Sequence, residues 1–217
     1  MRRLLVLVVL LCVGCGFNPP PDTPQTWYDE RWGNVTEQQL DNSCGLASLR
    51  TIMLYHFGDS ITEPDLLARY FEKNKDEVLV RAMKEGVSLL ELEGLAKSFG
   101  YQTRRSMFSL NELMRVVSFA PVLVYLQVGK LRHFAVVRGM SETEVLLADS
   151  SRGNVRYSRE DFANEWQVPE EFQSQWQHPG GLVLFKDSQH VSTLLKTLSV
   201  DVPESFIALR RSLVLHQ

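Results

Sequence analysis

The chain has 217 residues, with 23 basic against 26 acidic side chains and a formal charge of −3; 44% of it is hydrophobic and 10% aromatic. That is room for one domain of catalytic size with a packed core plus appendages. The near balance of charge excludes an electrostatic footprint for nucleic acid, and the apolar fraction excludes pervasive disorder.

The first segment stands apart from the fold. Arg2-Arg3, the apolar run Leu4 to Val13 and then Gly14-Cys15 have the charged and apolar regions of a secretory signal and are too short for an ordinary spanning helix. Val13-Gly14-Cys15 is similar to a bacterial lipobox, in which the cysteine becomes the lipidated first residue; Cys12 stands where that pattern usually has leucine. A plain signal peptide cut slightly later is the alternative. With Gly16 next, no acidic retention signal follows, so the expectation is a periplasmic protein lipid-anchored at Cys15 to the outer membrane. Phe17 to Pro24 is a stiff proline-rich spacer. Trp27, Tyr28 and Trp32 then read as a flap packed on the domain.

Of three cysteines, Cys12 leaves with the signal and Cys15 is capped by lipid, which leaves Cys44 alone. A lone cysteine in an oxidising compartment forms no internal disulfide, so Cys44 is either a buried apolar residue or a reactive thiol. Asn42 and Ser43 are good helix N-caps, and Leu46, Leu49, Ile52, Met53 and Phe57 recur at helical spacing until Gly58. Cys44 is therefore expected in the first turn of a helix, where unpaired N–H groups and the positive end of the dipole favour a thiolate. Gln38, on the loop before that helix, carries an amide able to stabilise an oxyanion.

Three further helix starts follow at Thr62-Glu63-Pro64-Asp65, Ser88-Leu89-Leu90-Glu91 and Ser109-Leu110-Asn111-Glu112, the last stopping before Pro121. Beyond Pro121 the pattern changes to strands. Val122 to Gln127, a turn at Gly129-Lys130, Leu131 to Arg138 and Glu144 to Ala148 predict an antiparallel meander. A short strand at Val155 to Tyr157, a short helix through Phe162 and Trp166, and a closing strand from Gly181 to Phe185 complete it. His133 falls early in the second strand and Asp149 just past the third, so neighbouring strands can bring them together. Taken singly, His133 could be a satisfied strand histidine and Asp149 an ordinary turn former. His56, His178, His190 and His216 have no partners at metal-ligand spacing, so neither metal nor cofactor is expected. Residues 187–217 suggest two short amphipathic helices. No internal repeat and no G-x-x-x-x-G-K-[ST] phosphate loop is present.

Gln38 to Leu49, with Arg132-His133-Phe134-Ala135-Val136-Val137 and Leu147-Ala148-Asp149, resembles the bacteriocin-processing, double-glycine leader peptidases, family thirty-nine of the cysteine peptidases. The likeness is greatest to the stand-alone exported branch that includes the FapD-type peptidases of functional-amyloid secretion. It covers roughly residues 36 to 186. The resemblance implies an α+β, papain-like cysteine peptidase fold, N-terminal helices packed on an antiparallel sheet. It also implies Gln38 as oxyanion donor, Cys44 as nucleophile, His133 as general base and Asp149 as the residue orienting it. These are the four parts such a protease needs. Ser150 stands where the family usually has proline.

The expected organisation is a signal at 1–15, a tether and flap at 16–35, the peptidase domain at 36–186 and a helical extension at 187–217. The expected activity is that of an exported cysteine endopeptidase acting on a protein or peptide, such as a secreted fibre subunit or an export component. The alternatives are a non-cleaving peptide-binding or chaperone-like module on the same fold, and a cell-wall peptide amidase or transpeptidase.

Overall fold

The computed structural model describes residues 26–129, 131–170 and 173–186. The signal and lipobox-like segment with Cys15, the proline-rich spacer Phe17 to Pro24, and the extension from residue 187 with His190 and His216 lie outside the described residues.

Helices come first. α1 (Trp27–Trp32) precedes α2 (Cys44–Thr51), which runs on into one π turn at Ile52–His56; α3 (Glu63–Lys73), α4 (Asp76–Glu85) and α5 (Leu89–Ser98) follow. The start signals read from sequence are built as reciprocal caps. The hydroxyls of Thr62, Ser88 and Ser109 accept from the third helical N–H, while Asp65, Glu91 and Glu112 reach back to the cap residue's own N–H. Each such cap contributes about 1 kcal/mol, enough to fix where these short helices begin.

The rest is a six-stranded antiparallel sheet of β1 (Gln102–Met107), β2 (Val122–Val128), β3 (Leu131–Met140), β4 (Glu144–Asp149), β5 (Gly153–Ser158) and β6 (Gly180–Phe185), with α6 (Leu110–Val117) after β1 and α7 (Arg159–Glu165) after β5. The spatial order is β1-β6-β2-β3-β4-β5. The expected meander is β2 to β5, and the closing strand inserts between β1 and β2 rather than at an edge.

Both faces of the sheet are covered. Val122, Val124 and Leu126 of β2 pack with Leu113 and Val116 of α6, Phe162 of α7 and Trp166 just after it. Leu123, on the other face, packs with Leu46 and Leu49 of α2, Leu66 of α3 and Leu92 of α5. Burial on both sides explains why β2 reads as a continuous apolar run rather than an alternating one. The N-terminal helices thus sit on an antiparallel sheet as expected, and α6 and α7 add a layer on the opposite face.

Two elements differ from the sequence reading, and one contact does. α4 has no side-chain cap and no buried residue. β1, Gln-Thr-Arg-Arg-Ser-Met, is a polar edge strand recognisable only from its pairing with β6. The aromatic flap is packed only in part: Trp32 lies partly buried against the core that includes Leu46 and Leu49, whereas Trp27 is 70% and Tyr28 50% exposed. Polar bonds hold α1 as well. Asn154 Nδ2 donates to the Glu30 and Gly33 carbonyls at 2.8 and 2.9 Å, and Arg31 Nε donates to the Arg152 carbonyl at 2.9 Å. Among the described residues no helix is long and apolar enough to cross a membrane.

Candidate active site

Helix α2 is wedged into the core, with six of its eight residues buried. Gly45 allows the close approach, because a Cβ there would stand 2.9 Å from Val87 Cγ2, 3.0 Å from Leu92 Cδ1 and 3.2 Å from Phe134 Cδ2. Ser48 Oγ donates to the Phe134 carbonyl on β3 at 3.1 Å. Cys44, the first residue of α2, is half-buried and is the free cysteine among the described residues.

The end of α2 that carries Cys44 is electrostatically bare. It is the one α-helix among the described residues without an acidic residue in its first turn. Ser43 is the cap residue, as expected, but its hydroxyl makes no capping bond. That hydroxyl accepts from the Leu40 N–H at 3.1 Å and donates to the Leu40 carbonyl at 3.0 Å, tightening the preceding turn. The first-turn N–H groups therefore keep their positive potential beside the sulfur. Asn42 does not cap either: its Nδ2 donates to the Met83 and Lys84 carbonyls at 3.0 and 3.3 Å, fastening the end of α4 to the Cys44 loop.

β3 and β4 bring His133 and Asp149 together. In the register Ala135 lies opposite Asp149, and His133 is two residues from Ala135 on the same side of the pleat. Such diagonal neighbours are about 7–8 Å apart at their Cα atoms, within reach of two polar side chains. His133 Nε2 stands 2.9 Å from Asp149 Oδ1, with side-chain exposures of 13% and 0%. The N–H is not aimed along the line of centres, so this is a charge contact more than a directed bond. The imidazole also borders Cys44. Burial opposes its protonation, but its close contacts with Asp149 and Cys44 and the charges of both outweigh that and push its pKa up to about 9. For Asp149, burial works against ionisation and is outweighed by the contact with and charge of His133 and by the bonds from Ser151, which hold the carboxyl far below the usual carboxylate range.

Asp149 is densely bonded. Oδ1 accepts from Ser151 N and Oγ, both at 2.8 Å, and from Arg152 N at 3.1 Å; Oδ2 accepts from Arg152 Nε at 2.7 Å. The guanidinium was not legible as a site residue, because nothing in the run Ser150 to Asn154 distinguishes it from turn chemistry.

Gln38 lies on the other side of this turn. Its N–H donates to the Ser150 carbonyl at 2.9 Å, and Ser150 Oγ donates to Gln38 Oε1 at 3.1 Å. Gln38 Nε2 donates to the carbonyls of Leu40 and Asp41 at 3.0 and 3.2 Å. The amide thus sits beside the Cys44 loop with both hydrogens engaged within that loop. Ser150 makes a side-chain bond that a proline at its position has no atom to make. His56, in the π turn, and His178 stand apart from this cluster. No group of three or more metal-binding side chains occurs among the described residues.

Comparison with known proteins now adds to the geometry. Residues 33–169 match the sequence profile of the Peptidase C39 family. A protein of Pseudomonas fluorescens named "Probable functional amyloid protease FapD" is 30% identical over 138 residues, 64% of this chain and 59% of that protein. Its namesake in Pseudomonas aeruginosa is 26% identical over 142 residues, 65% of this chain and 61% of that protein. The chain spans about three fifths of the length of these two curated relatives. Among solved structures, the peptidase domain of Streptococcus ComA, a bi-functional ABC transporter, superposes with a TM-score of 0.56 at 22% identity, covering 70% of this chain and 98% of that domain. At that identity the superposition speaks to the fold alone.

Proposed function

Because the chain belongs to the Peptidase C39 family, we propose that it is a cysteine endopeptidase with Cys44 as nucleophile, His133 as general base and acid, Asp149 as orienting group and Gln38 as oxyanion donor. The observation that carries this reading is an imidazole bordered by Cys44 and held 2.9 Å from a fully buried carboxylate. Since Nε2 faces Asp149, Nδ1 is the ring atom available to the thiol.

In the first step Cys44, as a thiolate whose proton His133 holds as imidazolium, attacks the substrate carbonyl carbon and the carbonyl π electrons move to oxygen. The resulting oxyanion accepts from the Cys44 N–H and from Gln38 Nε2, which gives up a loop carbonyl to do so. The C–N bond then breaks as the imidazolium passes its proton to the leaving amine. Water, deprotonated by His133, hydrolyses the thioester and frees Cys44.

The proposed place rests on the N-terminal sequence, and the proposed substrate on the similar proteins. The signal-like start and Cys15 support export and a lipid anchor on the periplasmic side of the outer membrane, with the proline-rich tether as spacer. The two Pseudomonas relatives are named as functional amyloid proteases, which supports a secreted fibre subunit or a component of its export machinery as substrate. The test is to incubate the full chain with periplasmic and secreted proteins and sequence the new N-termini. Termini that appear with the native chain and vanish with Cys44→Ala support the reading, and identical termini in both refute it. Repeating the incubation with an excess amine separates hydrolysis from transpeptidation, because a transpeptidase caps the new C-termini with the amine.

A further inference from the structure

The carboxylate beside His133 is shared with a cation. Arg152 Nε donates to Asp149 Oδ2 at 2.7 Å, and Nη2 lies 2.7 Å from the same oxygen as a charge contact. The guanidinium is itself held by Tyr157 of β5, which α7 backs in turn. Nη1 donates to the Tyr157 hydroxyl on β5 at 2.7 Å, that hydroxyl donates to Glu165 Oε2 on α7 at 2.8 Å, and the guanidinium lies over the Tyr157 ring at 5.5 Å. The Arg152 carbonyl accepts from Arg31 of α1, which lies before the family-matched residues.

We propose that Arg152 is a positioning residue of this site, which engages Asp149 Oδ2 so that Oδ1 alone faces His133 and offsets the negative charge that would otherwise bind the imidazole's proton too tightly for release to a leaving amine. The proposal rests on the cysteine-peptidase reading. Its electrostatic half is separable from its geometric half. Ser151 N, Ser151 Oγ and Arg152 N already hold Oδ1 from the backbone side, so the carboxylate keeps its place when the guanidinium is removed. What the guanidinium adds is charge. A fully buried carboxylate facing one imidazole stabilises imidazolium without opposition. Paired with Arg152 it approaches a neutral orienting group, which sets the ring's direction with less hold on its proton. The ionisable groups facing this unit are Cys44 on α2, His133 on β3, Arg152 in the turn, Tyr157 on β5 and Glu165 on α7, with Arg31 of α1 at the Arg152 carbonyl.

The experiment is the pH dependence of iodoacetamide alkylation of Cys44 in the full chain, read by peptide mass spectrometry so that Cys12 and Cys15 are counted separately. In a Cys–His pair the upper inflection reports loss of the imidazolium proton. Arg152→Met is expected to move that inflection upward by about half a pH unit or more, and Arg152→Lys to return it toward the native position. If Arg152→Met does not fold, Arg152→Gln, which keeps polar donors and removes the charge, is read instead, and a shift of the same sign is expected. A lower rate or lower thermal midpoint with the upper inflection unmoved overturns the proposal and leaves a structural role for Arg152. A native chain with one ordinary thiol inflection overturns the peptidase reading and this inference with it; two inflections in the native chain, both unmoved in the variants, overturn this inference alone.

Discussion

Replacing His133 by glutamine in a Cys44→Ala background and unfolding both chains at several pH values tests the His133–Asp149 contact without any substrate. The background matters because an imidazolium paired with a Cys44 thiolate holds one proton in the folded state, the same number that an unfolded thiol and neutral histidine hold between about pH 6.5 and 8.5, so the intact pair gives no slope there. With the thiol removed, the fully buried Asp149 carboxylate 2.9 Å away is expected to keep the imidazole's pKa above its ordinary value of about 6.5. Above that value the folded state then binds one proton more than the unfolded state, so stability falls as pH rises; the contribution is fully present below the unfolded value and gone once pH passes the folded one. With Cys44 in place the folded value is about 9, so at about 1.4 kcal/mol per pH unit the loss with Asp149 alone is at most about 3 kcal/mol. Urea melts near pH 6 and near pH 9.5, with slopes compared first, should therefore show Cys44→Ala losing about 1–3 kcal/mol more than Cys44→Ala/His133→Gln between the two conditions. Ionisations shared by both chains cancel in the difference. A difference that stays flat across this range would refute the charged contact between His133 and Asp149.

Other perturbations reach other parts of the site. Gln38→Ala should lower turnover on a cleavable substrate by about 10²-fold or more with little change in the melting midpoint; Ser150→Ala, which frees only the Gln38 carbonyl, should cost about tenfold. Steady-state assays with urea melts as control separate the two, and unchanged turnover in Gln38→Ala would remove it from the oxyanion site. Gly45→Ala forces a methyl against Val87, Leu92 and Phe134 and should destabilise the chain by about 1–3 kcal/mol while lowering Cys44 reactivity; a urea midpoint equal to the native one would show that α2 shifts freely. Asn42→Ala releases the end of α4 from the Cys44 loop. It should speed protease nicking within 76–85 while costing less than about 1.5 kcal/mol of global stability, so a native-like nicking rate would show α4 is held by other contacts.

The caps and the hairpin were legible because their signals are local: a hydroxyl and a carboxylate three residues apart, or a Gly-Lys turn between apolar runs. His133 and Asp149 were legible as neighbours because a meander leaves little choice of partners. What escaped depends on the partner rather than the residue. The arginines of β1 give no apolar pattern, and only β6 makes that segment a strand. α4 lies on the surface without a cap. Ser43 and Asn42 are good N-caps by type, yet in place Ser43 closes the Leu40 turn and Asn42 ties down α4, which leaves the first turn at Cys44 open. Arg152 looked like part of a turn, and Trp27, Tyr28 and Trp32 looked like a packed flap because large aromatics usually find cover. Trp32 does pack against the core, while the polar bonds of Asn154 and Arg31 help to hold α1 and leave the rings of Trp27 and Tyr28 outside.

The central claim is that Cys44 and His133 act as one unit, and the most direct measurement compares iodoacetamide alkylation of Cys44 at mildly acid pH in the native chain and in His133→Ala. The account predicts that the native thiol still reacts near pH 6 and that its rate falls at least about tenfold in the variant, because thiolate character there depends on the imidazolium. Equal rates in the two chains would contradict it.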